Sequence, residues 1–411
     1  MELVGRRGRL AAAALVGVLL LSAGVGAAVQ TNGFTGVFAR NIVPPGEDQK
    51  SRKPQPIATP IAVAAAPTVT PEGPPSFARV APHVESLEPS SNKAPVNAEI
   101  VVIFSQPMAP ASVERSFSIR PSLEGQSSWS DVFTFHFQPF QLAHGAAYEV
   151  QVGGRSDRGV PLTGQRVWHF STVAAPPLVL APGPATVKVP ILTYHYIRVN
   201  PDPNDRLGFA LSVTPADFAA QMDWLASNGF HPVTPSDVYA YLNGTQGLPS
   251  RPVILSFDDG YADFYTTALP ILRAHDFTAV AYIVSGFVGQ WSYMTAAQIV
   301  EIDRRGIEIG SHTVHHANLA KAAPGNVQVE LVASKQALEQ LIGHPVYSFC
   351  YPSGQYNGAV AAAVQAAGYS NATTTAFGYV HYMSDRYRWT RLRISGGEAL
   401  SDFGAALLAA S

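Results

Sequence analysis

A single cysteine, Cys350, stands in 411 residues. That excludes an internal disulfide framework and any metal site built on several thiolates. Charge is scarce as well: Asp, Glu, Lys and Arg make up 14% of the chain, against about 25% in an average soluble protein. The 27 basic and 29 acidic residues nearly cancel, to a net charge of −2. The chain therefore lacks the basic excess with which proteins hold nucleic acid, and no nucleic-acid partner is expected. No repeat at solenoid periods is evident, which argues against a stacked-repeat architecture. With 47% hydrophobic residues the chain is neither disordered nor collagen-like, and its length suits two or three domains.

Apolar residues and proline are plentiful but unevenly spread. Arg6, Arg7 and Arg9 precede an uncharged run from Leu10 to Val29, the pattern of an export signal. The run is also long enough to span a bilayer as a helix, while Gly26, Ala27 and Ala28 suit a signal peptidase. Residues 1–30 thus read as a signal peptide or a membrane anchor, with the remainder outside the cytoplasm. No other membrane contact is expected. Residues 31–82 read as a linker, since prolines such as Pro44, Pro45, Pro54, Pro56, Pro74 and Pro75 favour an extended spacer over a core.

From 83 to 174 the pattern is β. Ala98–Phe104 is rich in Val and Ile, Phe133, Phe135 and Phe137 alternate, and Tyr148, Val150 and Val152 repeat the period of two. Phe104-Ser105-Gln106-Pro107-Met108 and the closing Trp168-His169-Phe170-Ser171-Thr172 resemble the Ig-like domain of bacterial surface and cell-wall proteins. That resemblance implies a sandwich and carries no chemistry. His136, His144 and His169 read as solvated or packed. A second linker is expected over 175–186.

From 187 to 411 strand and helix patterns alternate. Strands are predicted at Val187–Thr193, Pro252–Phe257, Thr278–Val284, Ile307–Gly310 and Val346–Cys350. Helices are predicted at Pro215–Asn228, Ala262–His275 with a break at Pro270, Thr295–Arg305, Val327–Ile342 and Asn357–Ala367. Such alternation implies a parallel sheet, open or closed into a barrel.

In parallel α/β folds chemistry sits just past the C-terminal ends of strands. Three segments put acids and imidazoles there: Tyr194-His195, Asp258-Asp259-Gly260, and Ser311-His312-Thr313-Val314-His315-His316. Adjacent carboxylates repel one another, so something must hold them ionised, and a divalent metal would do so. His312 and His316, at i and i+4, are expected on one face of a helical turn. With one Asp they would make a two-His, one-carboxylate site with open positions. The spare Asp would serve as general base and His195 as general acid. Taken singly, each signal is ordinary; the three together in one domain are not.

Leu255-Ser256-Phe257-Asp258-Asp259-Gly260 and Ser311–His316 resemble the first two motifs of the polysaccharide deacetylases, carbohydrate esterase family four, over roughly Val187 to Ser395. The resemblance implies a distorted (β/α) barrel and metal-dependent removal of acetyl groups from glycans. It makes Asp258 the base and Asp259, His312 and His316 the ligands of Zn²⁺, or of Co²⁺ or Ni²⁺, with His315 a bystander. The family's third motif usually opens with arginine; here Phe349-Cys350-Tyr351-Pro352-Ser353-Gly354 has Cys350 in that place. Its fourth-motif Asp and Trp are not visible in Ala372–Tyr379. Ile191-Leu192-Thr193-Tyr194-His195 is instead similar to a permuted group acting on poly-N-acetylglucosamine, whose acid histidine lies on the first strand. Tyr351, Pro352 and Ser353 would then form the substrate and oxyanion loop, and Arg391 or Arg393 would supply the missing charge near Asp258. Cys350 reads as a small buried residue. Trp291, Tyr293 and Tyr351 are candidates for stacking on sugars or for packing. The partner implied is an acetylated glycan, losing N-acetyl groups. The alternatives are an acetyl-ester hydrolase on the same scaffold and a silent glycan-binding surface protein.

Overall fold

The computed structural model describes residues 80–411 apart from 182, 184 and 203. The expected signal or anchor lies outside the described residues, as does the expected linker up to residue 79.

Residues 84–171 form a sandwich of seven strands: β1 (Val84–Glu88), β2 (Ile100–Phe104), β3 (Ser118–Arg120), β4 (Gly125–Trp129), β5 (Thr134–Pro139), β6 (Ala147–Gln151) and β7 (Val167–Ser171). One antiparallel sheet runs β1-β2-β5-β4 and the other β3-β6-β7. Ile100, Val102 and Phe104 meet Phe135, Tyr148, Val150 and Phe170 in the core. Phe135 and Phe137 are buried as their period implies, but Phe133 is 39% exposed because the strand begins one residue later.

Beyond the linker come β8 (Thr186–Lys188), β9 (Ile191–Tyr194), the short β10 (Tyr196–Ile197), β11 (Ser212–Val213) and β12 (His231–Pro232). They are followed by β13 (Pro252–Phe257), β14 (Val280–Ile283), β15 (Glu308–Ser311), β16 (Ser348–Cys350), β17 (Asn371–Phe377), β18 (Val380–Tyr382) and β19 (Trp389–Arg393). Seven of them close a parallel ring in the order β13-β14-β15-β16-β17-β19-β9, with β9 bonded to both β19 and β13. The sheet is thus a closed, distorted barrel. Ring strands are covered on both sides, which is why Pro252–Phe257 reads as an unbroken apolar run buried throughout.

Most predicted helices are present within a few residues, at Pro215–Ser227, Ala296–Arg304, Pro324–Ile342 and Gly358–Ala366. Thr214, Thr295 and Asn357 cap three of them by accepting from the first-turn N–H groups. Two expectations are corrected. Pro190 interrupts the strand expected over 187–193, and β8 instead pairs antiparallel with β18. The helix expected over 262–275 is a π-helical turn, Phe264–Ala268, followed by an α-helix, Leu269–Ala274, with Pro270 in its first turn.

The sandwich meets the barrel near the N-terminal ends of β14 and β15. Arg304 Nη1 lies 3.0 Å from Glu124 Oε2, and His144 Nε2 lies 3.3 Å from Asp276 Oδ2.

Leu192, on the sealing strand, is fully buried, whereas Val199 just beyond it is 71% exposed. Leu192→Ala is expected to lower unfolding free energy by about 2–5 kcal/mol and Val199→Ala by less than about 0.5 kcal/mol. Denaturant unfolding checks both, and equal effects would contradict the sealed ring.

Candidate active site

Strand register gathers the chemistry at one rim. Tyr194 pairs with Phe257 and Ile283 with Ser311, so His195, Asp258 and His312, each the following residue, leave the ring together. Gly260 then turns the chain with φ +81°, at a point where a Cβ would come within 3.1 Å of Ile283.

The two adjacent carboxylates point apart. Asp258 is buried and takes a bidentate ion pair: Arg391 Nη1 donates to Oδ1 and Nη2 to Oδ2, both at 2.8 Å. Of the two candidate arginines, Arg391 is the buried one and Arg393 is exposed. Arg391 is itself fixed, Nε donating to Thr374 O at 2.7 Å and Nη1 to Ser256 Oγ at 3.2 Å. Burial alone would raise the Asp258 pKa, but the guanidinium outweighs it and holds the carboxyl well below the usual range. His195 Nε2 stands 4.0 Å from Asp258 Oδ2. Burial lowers the His195 pKa, the carboxylates of Asp258 and Asp259 oppose that, and Arg391 adds to it. Cys350 Sγ lies 3.7 Å from both Asp258 oxygens and 3.3 Å from Arg391 Nη2, so this cysteine is buried against the carboxylate.

Asp259 faces the histidines. In a left-handed backbone (φ +75°), it places Oδ1 3.4 Å from His312 Nε2 and 3.4 Å from His316 Nε2. That Oδ1 is buried without a hydrogen-bond partner. His312 Nδ1 is 2.7 Å from Cys350 O; donating there, it fixes the ring with Nε2 toward Asp259. Burial acts against a charge on His312, yet Cys350, Asp259 and Asp258 outweigh it and raise its pKa well above the ordinary value. The pocket's field favours an added positive charge. Ligands at about 2.0–2.1 Å around a tetrahedral ion stand about 3.3–3.4 Å apart. Asp259 Oδ1 stands at that spacing from both imidazoles, and the three ligand atoms lie within 4.8 Å of one another, a set that suits a Zn²⁺-like ion with an open fourth position.

The i, i+4 histidines do not ride a helix, contrary to the spacing argument. Residues 313–315 are a turn, and Thr313 (φ +68°) and His316 (φ +55°) are both left-handed. Glu330, from helix Pro324–Ile342, holds this turn by accepting from Val314 N (2.8 Å), His315 N (3.0 Å) and His315 Nδ1 (2.8 Å). His315 therefore faces Glu330 and not Asp259. Glu330 carries no local sequence signal, lying 14 residues beyond His316.

Tyr351 is fully buried, its hydroxyl donating to Tyr387 O at 3.0 Å and its ring stacked on Tyr356. Its side chain is therefore structural. Pro352 is buried, and Ser353 is exposed in a left-handed conformation (φ +52°). The N–H groups of Gly354 and Gln355 turn back to Tyr351 O and Pro352 O. Asp263, unnoticed in the sequence, accepts from Ile197 N at 3.2 Å and so ties the chain after His195 to the turn after Asp259. Its other oxygen is buried without a partner.

The polysaccharide deacetylase sequence pattern matches residues 245–372, and that of the bacterial Ig-like domain matches 78–172. The chain is 32% identical to YxkH of Bacillus subtilis, a candidate polysaccharide deacetylase, over 218 residues, 53% of this chain and 75% of that protein. It is 31% identical over 134 residues to the poly-beta-1,6-N-acetyl-D-glucosamine N-deacetylase of Escherichia coli K12, covering 28% of this chain and 20% of that protein. Among solved structures, the Streptococcus pyogenes deacetylase PplD in complex with acetate superposes with a TM-score of 0.51 at 28% identity, covering 54% of this chain and 98% of the other.

Two outcomes follow from the buried charges. Arg391→Met should cost about 3–5 kcal/mol, because Asp258 is left buried and unpaired, and Arg391→Lys should not restore it, since an ammonium lacks the bidentate fork. Denaturant titration of the variants checks this; a cost below 1 kcal/mol would sink it. Burial raises the Asp263 pKa to about 6 against the pull of Arg198, from about 4 in an unfolded chain. The fold thus binds that proton more tightly, so its contribution to stability is full below pH 4 and is lost as pH climbs through 6. Asp263→Asn should remove about 2–3 kcal/mol of that decline. Unfolding curves at pH 4, 6 and 7.5 test it, and parallel pH profiles for the variant and wild type would contradict it.

Proposed function

Because this chain belongs to the polysaccharide deacetylase family, with a bacterial Ig-like domain preceding the catalytic barrel, we propose that it hydrolyses N-acetyl groups on an N-acetylglucosamine polymer outside the cytoplasm. Residues 1–30 would direct or anchor it there, 31–82 would serve as spacer, 83–174 as the Ig-like domain, 175–186 as a joint and 187–411 as the catalytic domain. The observation that carries the reading is the unpartnered Asp259 Oδ1 facing two imidazole nitrogens, one residue from the ionised Asp258 beside His195.

Asp259, His312 and His316 would hold a divalent ion, Zn²⁺ or alternatively Co²⁺ or Ni²⁺. Such an ion supplies a water of pKa near ~7 and polarises the acetyl carbonyl. Asp258 takes the proton of the attacking water, its ionised state secured by Arg391. By the motif resemblance, the backbone N–H of Ser353 would donate to the oxygen that gains charge as the carbonyl becomes tetrahedral. His195 delivers a proton to the amide nitrogen, the C–N bond breaks, and acetate and a free amine leave. The poly-N-acetylglucosamine deacetylases among its relatives support that choice of glycan.

The test is acetate release from N-acetylglucosamine oligomers by the intact chain. Release should stop with chelator and return with Zn²⁺. Asp258→Asn and His195→Ala should each lower kcat by about 10²–10⁴ while remaining folded by melting curve. Release only from acetylated xylan would point to ester hydrolysis. Glycan binding without release, and unaltered in Asp258→Asn, would point to a binding protein.

A further inference from the structure

We propose that Trp291 forms a subsite for a sugar ring beyond the one next to the reacting unit, so that the site favours a longer oligomer over a disaccharide. The proposal rests on the deacetylase reading and adds to it a determinant of substrate length.

Three aromatics are candidates for stacking, and the structure separates them. Tyr351 is buried, Tyr293 is half-buried, and Trp291 is 94% exposed. An indole so exposed is unusual on a folded surface. Its loop is not a loose one. Gly289 N donates to Met294 O (2.9 Å), Met294 N to Gly260 O (3.0 Å) and Ala262 N to Ser292 O (2.9 Å). Ser292 adopts φ +72° to complete the turn. Trp291 is therefore held out from a loop stitched to the segment that directly follows Asp258 and Asp259.

Further rings stand on the segments that follow His195 and Asp259. Tyr196, the residue after His195, stacks on Tyr261 at 3.8 Å between ring centroids, and Tyr261 stacks on Tyr293 at 5.1 Å. Arg198 covers the outer face of Tyr196 at 3.4 Å. A row of rings thus runs from Tyr196, next in sequence to the proposed acid, to Tyr293, two residues from Trp291. A pyranose offers an apolar C–H face ringed by hydroxyls, and an indole offers a flat apolar face with one polar edge. Trp291 is flanked by Gln290 and Ser292, polar neighbours that suit a hydroxyl-rimmed ring better than lipid tails.

The experiment compares wild type, Trp291→Ala and Trp291→Phe as intact chains. It measures kcat and KM on β-1,6-linked N-acetylglucosamine dimer and hexamer, with hexamer binding by calorimetry. Trp291→Ala should raise KM for the hexamer about 3–10-fold, the size of one aromatic contact, with kcat and dimer turnover unchanged. Trp291→Phe should recover most of the loss. Equal effects on dimer and hexamer, or none on either, would overturn the proposal. So would loss of co-sedimentation with phosphatidylglycerol vesicles while hexamer KM stays fixed, since the surface would then be a lipid contact. If wild type releases no acetate, the deacetylase reading fails on its own, and weakened hexamer binding by Trp291→Ala still decides the subsite.

Discussion

The buried pair between Asp258 and Arg391 is the interaction on which the site is arranged. Two charges withdrawn from water cost several kcal/mol each, repaid only where geometry is good and every remaining donor is met. Both conditions hold: the fork is bidentate at 2.8 Å, and Ser256 Oγ and Thr374 O accept from the guanidinium as well. Because the pair turns Asp258 inward, the next carboxylate, on a left-handed backbone, turns the other way to face His312 and His316. One ion pair thus separates two adjacent acids into two environments. The same separation explains how like charges one residue apart can both stay ionised.

That arrangement also accounts for Cys350. The related motif carries an arginine there; in this chain a small thiol occupies β16, and the positive charge arrives from β19, two strands further around the ring. Cys350 contributes space for the guanidinium, and its carbonyl orients His312. On the proposed chemistry the pair has a further consequence. A carboxylate held by arginine stays ionised but is a weak base, and burial lowers the pKa of the nearby imidazole, which makes its protonated form a stronger acid. With 4.0 Å between them, neither group is a strong reservoir, which suits a proton that must pass from water to leaving amine within one turnover.

Much of this was legible in the chain because the signals were local. The apolar run ending in Asp258-Asp259-Gly260 marked a covered strand with an acid pair at its end, and the parallel sheet followed from the alternation of strand and helix. What failed was geometry set from a distance. Spacing of four residues suggested a helical turn for His312 and His316, yet Glu330 from the next helix holds a left-handed turn that helix propensity does not encode. Arg391 and Arg393 share a strand face by the period of two, so alternation could not choose between them; only the register with β9, which places Arg393 at the rim beside Thr193, decides. Strands such as Gly125–Trp129, mostly exposed and polar, pair without a hydrophobic pattern and left no trace.

The position of the Ig-like domain follows the same logic of opposite ends. Its contacts with the barrel gather at segments that precede β14 and β15, including Asp276 and Arg304, whereas His195, Asp258 and His312 follow strands β9, β13 and β15. Exposed ion pairs such as Arg304–Glu124 contribute about 0–1 kcal/mol each, so charge alone does not weld the domains. Apolar and cation–π contact adds to it, with the Arg305 guanidinium 5.2 Å from the Phe140 ring centroid. These contacts lie toward the strands' N-terminal ends, away from the rim where His195, Asp258 and His312 leave the ring. On the proposed reading, a polymer would meet the barrel at that rim, beside the stacked rings of Tyr196, Tyr261 and Tyr293.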